Sequence, residues 1–481
     1  MSGRANSVLH PEDEKPIAPV TRIEEWVAEA SINLAKSRWS YSRVDTEAIA
    51  GKAQLAPQRK SRRDRAWTVA GIAILSMVWT LAIAHTWSVA KILQYRNFPC
   101  DFCSFYSSDL ALRAGVNPYK ADLPAIESQL GTNSHIPHAT EPPTQLLLFE
   151  PFTWLSLPAA YWTWIALNVL ALAVSLGLLL GPRSGLDNRI AWILVALAIL
   201  YTPVGTHFES AQNKFFVLLI LIVMMRCMED GYDVSAGLLL ALAGLTRIFP
   251  FLLVGYLLIR RRWRVILYAA AGSVLLGAIT IAFVGAANSL SFLRSAIATS
   301  SQSWDLDYNA SSVTMVSRMF WHSGYSGPVF EWVRIIAVVI SVVLVLGVTT
   351  LATLKQPIAQ DRDWRAFSLW IITTVMLFPS SKRYYLVMLL IPFAALAAAA
   401  AHGRASRRAI AMAAASYLLI RYPGQQARLL GLVGSHIAGV GAVLESAFFP
   451  LLAAYISIYW LVIDEPRDLA SSAELVSVRS R

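Results

Sequence analysis

"AGLLLALAGLTRIFPFLLVGYLLIRRRWR", residues 236–264, decides how this chain is read. Apart from Thr246 and Arg247 the stretch is apolar until Arg260, and its last five residues include four arginines. Arg247 and Pro250 interrupt its middle. An arginine is costly in hydrocarbon, and a proline cannot donate a helix hydrogen bond. Counting crossings from the N-terminus puts the preceding loop, 226–233, on the cytosolic side, and the arginine cluster puts 260–264 there too. The 26 residues between them would span ~39 Å as one helix, enough for one crossing and not two. The segment 234–259 is therefore expected to form two half-helices, a re-entrant hairpin with its tip at Arg247–Pro250. Irregular backbone at that depth must be buried in protein or line a wet cavity, and the arginine needs an anionic partner.

The rest of the chain agrees with a membrane. Of 481 residues, 56% are hydrophobic and 15% charged, and the mean hydropathy is +0.51. Several apolar runs reach the ~20 residues a helix needs to cross a bilayer, and such spans must satisfy their own backbone. The expected class is an all-α, polytopic integral membrane protein of about 10–12 transmembrane helices. The runs are 67–90, 159–180, 189–205, 214–228, the composite 234–259, 265–287, 332–354, 366–379, 384–401, 409–422 and 446–463. A net charge of +11 would suggest nucleic acid in a soluble protein. Here the basic residues cluster beside apolar runs, as "RKSRRDR" (59–65), "RRRWR" (260–264) and "RASRR" (404–408), which is a topology signal. No nucleic-acid partner is expected.

Three regions follow. Residues 1–65 form a basic cytosolic tail, 66–463 the transmembrane domain, and 464–481 a second cytosolic tail. In the first tail Ile23, Trp26, Val27, Ala30 and Leu34 share one helical face, suited to a lipid surface or to the cytosolic loops. No cleavable signal peptide is visible before the apolar run that begins near Trp67. With the N-terminus inside, 91–158 and 288–331 become long outer loops, and 206–213 and 380–383 short ones; 181–188, 355–365 and 402–408 are cytosolic.

The first outer loop carries "CDFCSFYSSDLALRAGVNPY", residues 100–119. One C-x-x-C without a second pair or nearby histidines cannot complete a four-ligand zinc site, so Cys100 and Cys103 are read as a local disulfide or two thiols. Asp101 stands among Phe98, Phe102, Phe105 and Tyr106, and packing against them would raise its pKa toward that of a general base. A loop carboxylate that pairs or caps a helix is the plainer alternative. Asp109 is a rival, although N-capping explains it. His135, His138, His207 and His322 show no metal spacing, and Asp305 with Asp307 read as ordinary loop carboxylates. No metal or cofactor is expected.

A longer pattern joins these pieces. Asp101–Phe102, the Gly115–Tyr119 stretch, Pro142–Pro143 and Pro151–Pro158 are followed by "SAQNKFFVLLILI", the hairpin, "DYNASSV" (307–313) and "FPSSKRYYLVMLLIP". Over roughly residues 90–395 this order resembles glycosyltransferase family 87, bacterial polyprenol-phosphate-mannose-dependent mannosyltransferases with the GT-C membrane fold. The resemblance implies a hexosyltransferase of the bacterial plasma membrane, multi-pass, with both termini cytosolic and the active site on the outer face. It would move a sugar from a polyprenyl-phosphate donor to a hydroxyl of a glycolipid or glycan acceptor, with inversion.

In that scheme Asp101 is the general base, and Arg247 with Lys382 or Arg383 clamps phosphate. Tyr384, Tyr385, Gln212, Asn213 and Asn309, together with Tyr106, Asn117 and Tyr119, form the remaining substrate-binding set. Arg247 could instead pair with Glu209 or a lipid. The chain departs from the family in three places. Arg247 replaces the commoner lysine, Ser210 and Ala211 replace a glycine before Gln212, and "SSKRYY" lacks the usual tryptophan and histidine. The last leaves a different lipid-linked pentose or hexose open. A transporter or flippase also uses broken helices, but usually in paired halves, and a scaffold without catalysis would not depend on Asp101.

Overall fold

The computed structural model describes residues 75–88, 90–91, 100–132, 136, 138–302, 309–321, 328–356, 360–421 and 447–464. The amphipathic segment 23–34, His135, His322, Asp305, Asp307, the side chain of Cys100 and the C-terminal tail lie outside them.

Among the described residues every regular element is helical. After helical residues 75–88 come α1 (Cys100–Arg113), α2 (Leu123–Gln129), α3 (Pro143–Phe149) and α4 (Leu157–Leu180). Prolines stand in the first turns of α2, α3 and α4, where the missing N–H would have no helical partner anyway. Next are α5 (Asn188–Leu200) and α6 (Thr202–Ser210), bent by 49° at Tyr201, and α7 (Lys214–Glu229). The decisive stretch gives α8 (Asp233–Thr246), a break, a 3-10 turn Phe249–Leu252 and α9 (Leu253–Ile259). The chain continues through α10 (Trp263–Val284), α11 (Ala286–Gln302), α12 (Ser312–Trp321), α13 (Pro328–Lys355) and α14 (Gln360–Leu377). A 3-10 turn Arg383–Leu389 runs into α15 (Leu390–Ala401), followed by α16 (Arg407–Arg421) and α17 (Phe448–Ile463).

Among the described residues four helical stretches are long and apolar enough to cross a membrane, Leu157–Ser184, Trp263–Val284, Val329–Lys355 and Arg383–Ala401, and the bent pair α5–α6 makes a fifth. The protein is an all-α polytopic membrane protein. Several apolar runs that the sequence presents as single spans are shorter or broken here. The composite run splits at Arg247–Ile248, and neither half approaches the ~30 Å hydrocarbon thickness: α8, with 14 residues, is ~21 Å long. The run 189–205 also extends further than its apolar composition suggests. Thr206–Ser210, expected in an outer loop, remain helical in α6.

Bulky apolar side chains of α10 and α13 face outward; Val274 is 75% exposed and Val329 78%. Such faces suit hydrocarbon. By contrast α7 is enclosed: Leu218, Leu221, Ile222 and Met225, at helical spacing, are buried in the main core with residues of α4, α8 and the 3-10 turn Arg383–Leu389. Small residues let α8 and α10 approach closely. A Cβ on Gly237 would lie 2.6 Å from Tyr268 Cβ and 2.8 Å from the Ala269 backbone nitrogen. A separate aromatic cluster roots the segment 100–149: Phe102, Phe105, Tyr106 and Phe149 pack with Tyr161 and Trp164 of α4.

Candidate active site

A cavity of about 310 Å³ opens where α1, α3, α8 and the Phe378–Tyr385 segment converge, and helix ends supply its polar side chains. Asp101 projects from the first turn of α1. Glu141 directly precedes α3, after Thr140. Gln212 sits in the turn between α6 and α7, where Ala211 adopts a left-handed conformation (φ 47°) and the Gln212 amide donates to His207 O at 3.2 Å. Arg247 is the residue at which α8 stops, its backbone extended. Lys382 and the stacked pair Tyr384 and Tyr385, ring centroids 5.4 Å apart, complete the lining from the start of the 3-10 turn.

Arg247 is held from three sides. Its Nη1 makes an ion pair with Glu141, its Nε donates to Asn213 Oδ1 at 3.1 Å, and its Nη2 donates to Gln212 Oε1 at 3.4 Å. The anionic partner that Arg247 requires is therefore Glu141 and not Glu209. Asn213 is pinned in turn, donating through Nδ2 to Gln145 Oε1 at 2.5 Å. Lys214 shares both amide oxygens. Its Nζ donates to Gln212 Oε1 at 2.7 Å and Asn213 Oδ1 at 2.8 Å, and lies 4.7 Å from the ring centroid of Tyr385 and 5.1 Å from that of Tyr384. Lys214 is wholly buried, and cation–π contact with two rings offsets part of its lost hydration. The charge of Asp101 acts on Lys214 and on both tyrosines.

Not every sequence-predicted residue lines the cavity. Arg383, next to Lys382, faces a separate crevice with Thr202, Pro203 and Leu419. Tyr106 is committed to the aromatic cluster and donates to Leu155 O at 2.7 Å. Asn117 and Tyr119 build the turn behind the cavity. Asn117 Oδ1 accepts from the Tyr119 amide at 3.0 Å, and the Tyr119 hydroxyl donates to Glu141 O at 2.9 Å, which fixes the segment carrying Glu141. Burial first, and then the charge of Glu141, push the Tyr119 phenol up, so it stays a donor. Asn309 acts similarly on the other wall. Its Nδ2 donates to Pro379 O at 2.5 Å while Ala310 N donates to Ser381 O at 2.7 Å, anchoring the turn ahead of Lys382.

Two further expectations change. Asp101 is half-buried at the cavity, because the helical turn sends Phe102, Phe105 and Tyr106 into the aromatic cluster. Asp109 is no N-cap; it is the tenth of fourteen residues in α1, fully buried, with both carboxyl oxygens lacking a hydrogen-bond partner among the described residues. Burial, and then the charge of Glu150, push its pKa well above the usual carboxylate range. His207 caps α7: its Nε2 accepts from the amides of Lys214 at 3.0 Å and Phe215 at 3.3 Å. Among the described residues no three His, Cys, Asp or Glu side chains are grouped to share a metal ion.

Sequence reasoning missed Glu141 and Lys214. A lysine opening an apolar run at the end of a span expected to face outward is disfavoured on topological grounds, the same signal that drew attention to Lys382. Glu141 carries no local signal.

Comparison with known proteins shows the family. The model of glycosyltransferase family 87 matches residues 140–381, half of the chain, and the chain belongs to that family. It is similar to the polyprenol-phosphate-mannose-dependent alpha-(1-2)-phosphatidylinositol mannoside mannosyltransferases of Mycolicibacterium smegmatis (31% identity over 28% of this chain and 33% of that protein) and Mycobacterium tuberculosis (29% over 27% and 34%). It is also similar to an alpha-(1->3)-arabinofuranosyltransferase of Corynebacterium glutamicum, 26% identical over 46% of this chain and 48% of that protein. The matched regions thus span from a third to about half of these relatives' length. No solved structure matches the chain.

Proposed function

We propose that this member of glycosyltransferase family 87 transfers a sugar, mannose in the first instance, from a polyprenyl-phosphate donor to the hydroxyl of a glycolipid or glycan acceptor at the outer membrane face. The observation that carries this reading is one cavity lined by a half-buried carboxylate, Asp101, by Lys382, by Arg247 with its partner Glu141, and by Gln212, Tyr384 and Tyr385.

The chemistry asks for that set. A bond forms between the acceptor oxygen and the anomeric carbon, and the bond from that carbon to the phosphate oxygen breaks. The electron pair leaves with the phosphate, and the acceptor proton goes to Asp101 as general base. Charge-assisted contacts from Arg247 and Lys382 meet the growing negative charge on the phosphate, while Lys214 holds the side-chain oxygens of Gln212 and Asn213 beside them. Attack from the face opposite the phosphate inverts the anomeric centre.

The side of the membrane is read from charge. Helix α7 starts beside the cavity, just after Gln212, and carries Arg226 in its last turn, and the segment that starts at Lys382 ends near Arg404–Arg408. The ends far from the cavity carry the arginine clusters, which favours an outward-facing cavity and cytosolic termini.

Radiolabelled polyprenyl-phosphate-mannose, given to membranes holding wild type or Asp101→Asn at equal expression, tests the reading. Transfer by wild type that collapses in the variant is expected; equal transfer by both would remove Asp101 from the base role. A second donor is favoured by one observation, that the arabinofuranosyltransferase matches a larger share of this chain than either mannosyltransferase. A lipid-linked arabinofuranose belongs in the same assay, and transfer from it alone would replace mannose in the proposal.

A further inference from the structure

Two carboxylates line the cavity, and the transfer step proposed above uses one of them, Asp101, as a base. Glu141 moves no proton in that step, yet it is paired with Arg247, the cation assigned to the phosphate. It is also fixed there. The Tyr119 hydroxyl donates to Glu141 O at 2.9 Å, the Ala139 amide just before it donates to Pro118 O at 3.0 Å, and Pro142 and Pro143 stiffen the chain behind it. Both side chains of the pair are about nine-tenths buried, so salt screens the carboxylate little. Its charge reaches Lys214, Tyr384 and Tyr385 as well.

The guanidinium still has donors to give. Of its five N–H groups, Asn213 takes the one on Nε, Glu141 one on Nη1 and Gln212 one on Nη2. One N–H on each Nη nitrogen is left, and a phosphate can take such a pair. A phosphate can therefore join Arg247 without expelling Glu141, and then lies beside a fixed negative charge. The charge of that phosphate changes during the reaction. The sugar-bearing donor is a phosphodiester with one negative charge. Once the bond to the anomeric carbon breaks, the electron pair stays on the phosphate oxygen and leaves a monoester with close to two charges. The acceptor proton neutralises Asp101 in the same step, so the sum in the cavity is unchanged, but one negative charge has moved from Asp101 to the phosphate.

We infer, resting on the donor reading above, that Glu141 makes the cavity distinguish the donor from the spent lipid phosphate. A guanidinium already balanced by a fixed carboxylate accepts the singly charged diester and disfavours the doubly charged monoester, which speeds release of the product. Cations without that counter-charge would do the reverse, holding the monoester more tightly than the diester. Glu141 is thus a specificity-determining residue of the transfer, acting on the phosphate through Arg247 and through its own charge.

The test uses the full chain in a neutral detergent at pH ~8, above the second ionisation of a phosphate monoester near pH ~6. Farnesyl phosphate is the monoester and farnesyl methyl phosphate the diester, and their common chain cancels when the two Kd values are compared by calorimetric titration. Wild type should bind the monoester no more tightly than the diester. Glu141→Gln keeps an oxygen for Arg247 and loses only the charge. It should bind the monoester about tenfold more tightly than wild type does, and the diester less than about threefold more tightly. Asp101→Asn controls for the other carboxylate. A wild type that prefers the monoester tenfold overturns the inference with no variant needed, so the outcome does not hang on the folding of Glu141→Gln. An equal or weaker monoester Kd in Glu141→Gln overturns it too, and leaves Glu141 as a support for Arg247 alone. A gain seen in Asp101→Asn and absent from Glu141→Gln would assign the discrimination to Asp101 instead. Wild type that binds neither ligand would remove the lipid-phosphate reading itself, an outcome distinct from all of these.

Discussion

Glu141 neutralises Arg247 inside the cavity, in an ion pair between residues 106 positions apart. Both side chains are about nine-tenths buried, so removing one strands the other. Breaking a buried pair costs about 3–5 kcal/mol, whereas replacing both partners with apolar groups is often neutral. Arg247→Met should therefore lower the melting temperature of the detergent-solubilised protein, and Arg247→Met/Glu141→Met should restore most of it. Sugar transfer should stay lost in both, because the phosphate contact proposed for Arg247 is absent from each. Transfer that returns with stability in the double variant would mean that Arg247 holds the fold and not the donor.

Lys214 predicts a different separation. Methionine fills much the same volume and leaves no buried charge, so Lys214→Met should fold with a melting temperature near that of wild type. Gln212, which lines the cavity, and Asn213 would lose their common donor. The KM for the lipid-linked donor should rise about tenfold, the effect of ~1.4 kcal/mol, with a smaller change in kcat. Lys214→Arg should recover part of the donor affinity. A fall in kcat alone, with KM unchanged, would place Lys214 in the chemical step.

The sequence discloses the helices and much of the cavity for different reasons. Apolar runs and arginine clusters mark spans because hydrocarbon excludes charge, and Pro250 with Arg247 marks the break in the same way. Asp101, Gln212, Arg247, Lys382, Tyr384 and Tyr385 come from separate segments that the family resemblance set in order, and all six line one cavity. What stays hidden is pairing and direction. Glu141 stands before two prolines with nothing local to tie it to Arg247. Lys382 and Arg383 are adjacent but face different spaces, because the chain passes from extended at Lys382 into a 3-10 turn. Tyr106, Asn117 and Asn309 have suitable chemistry, yet their polar atoms serve the backbone and neighbouring side chains.

The close contact of α8 and α10 gives a prediction about folding. Any Cβ at position 237 meets Val265 O at 2.7 Å and the Ala269 nitrogen at 2.8 Å, and backbone atoms cannot step aside as a flexible side chain can. Gly237→Ala should cost about 1–3 kcal/mol through overpacking. Gly277, on α10 itself, has nothing within 4 Å of a built Cβ. Gly277→Ala should be neutral or stabilise by up to ~1 kcal/mol through helix propensity. Paired thermal melts check the contrast, and equal effects at the two positions would contradict the packing.

Asp109 supplies a pH dependence whose sign can be worked out. Its carboxyl is fully buried, and that burial, with the charge of Glu150 added, holds its folded pKa well above the usual carboxylate range. In the unfolded chain it ionises near pH ~4. Below that pH both states hold the proton, and the residue contributes no pH dependence. As pH rises beyond it, the unfolded state releases the proton while the folded state keeps it, so stability falls by about 1.4 kcal/mol per pH unit until the folded pKa is reached. An asparagine in its place cannot ionise in either state. The melting temperature of Asp109→Asn should therefore match wild type near pH ~4 and exceed it increasingly toward neutral pH. A constant difference between the two across that range would mean that Asp109 is ionised in the folded protein, where its two unpartnered oxygens could not support the charge.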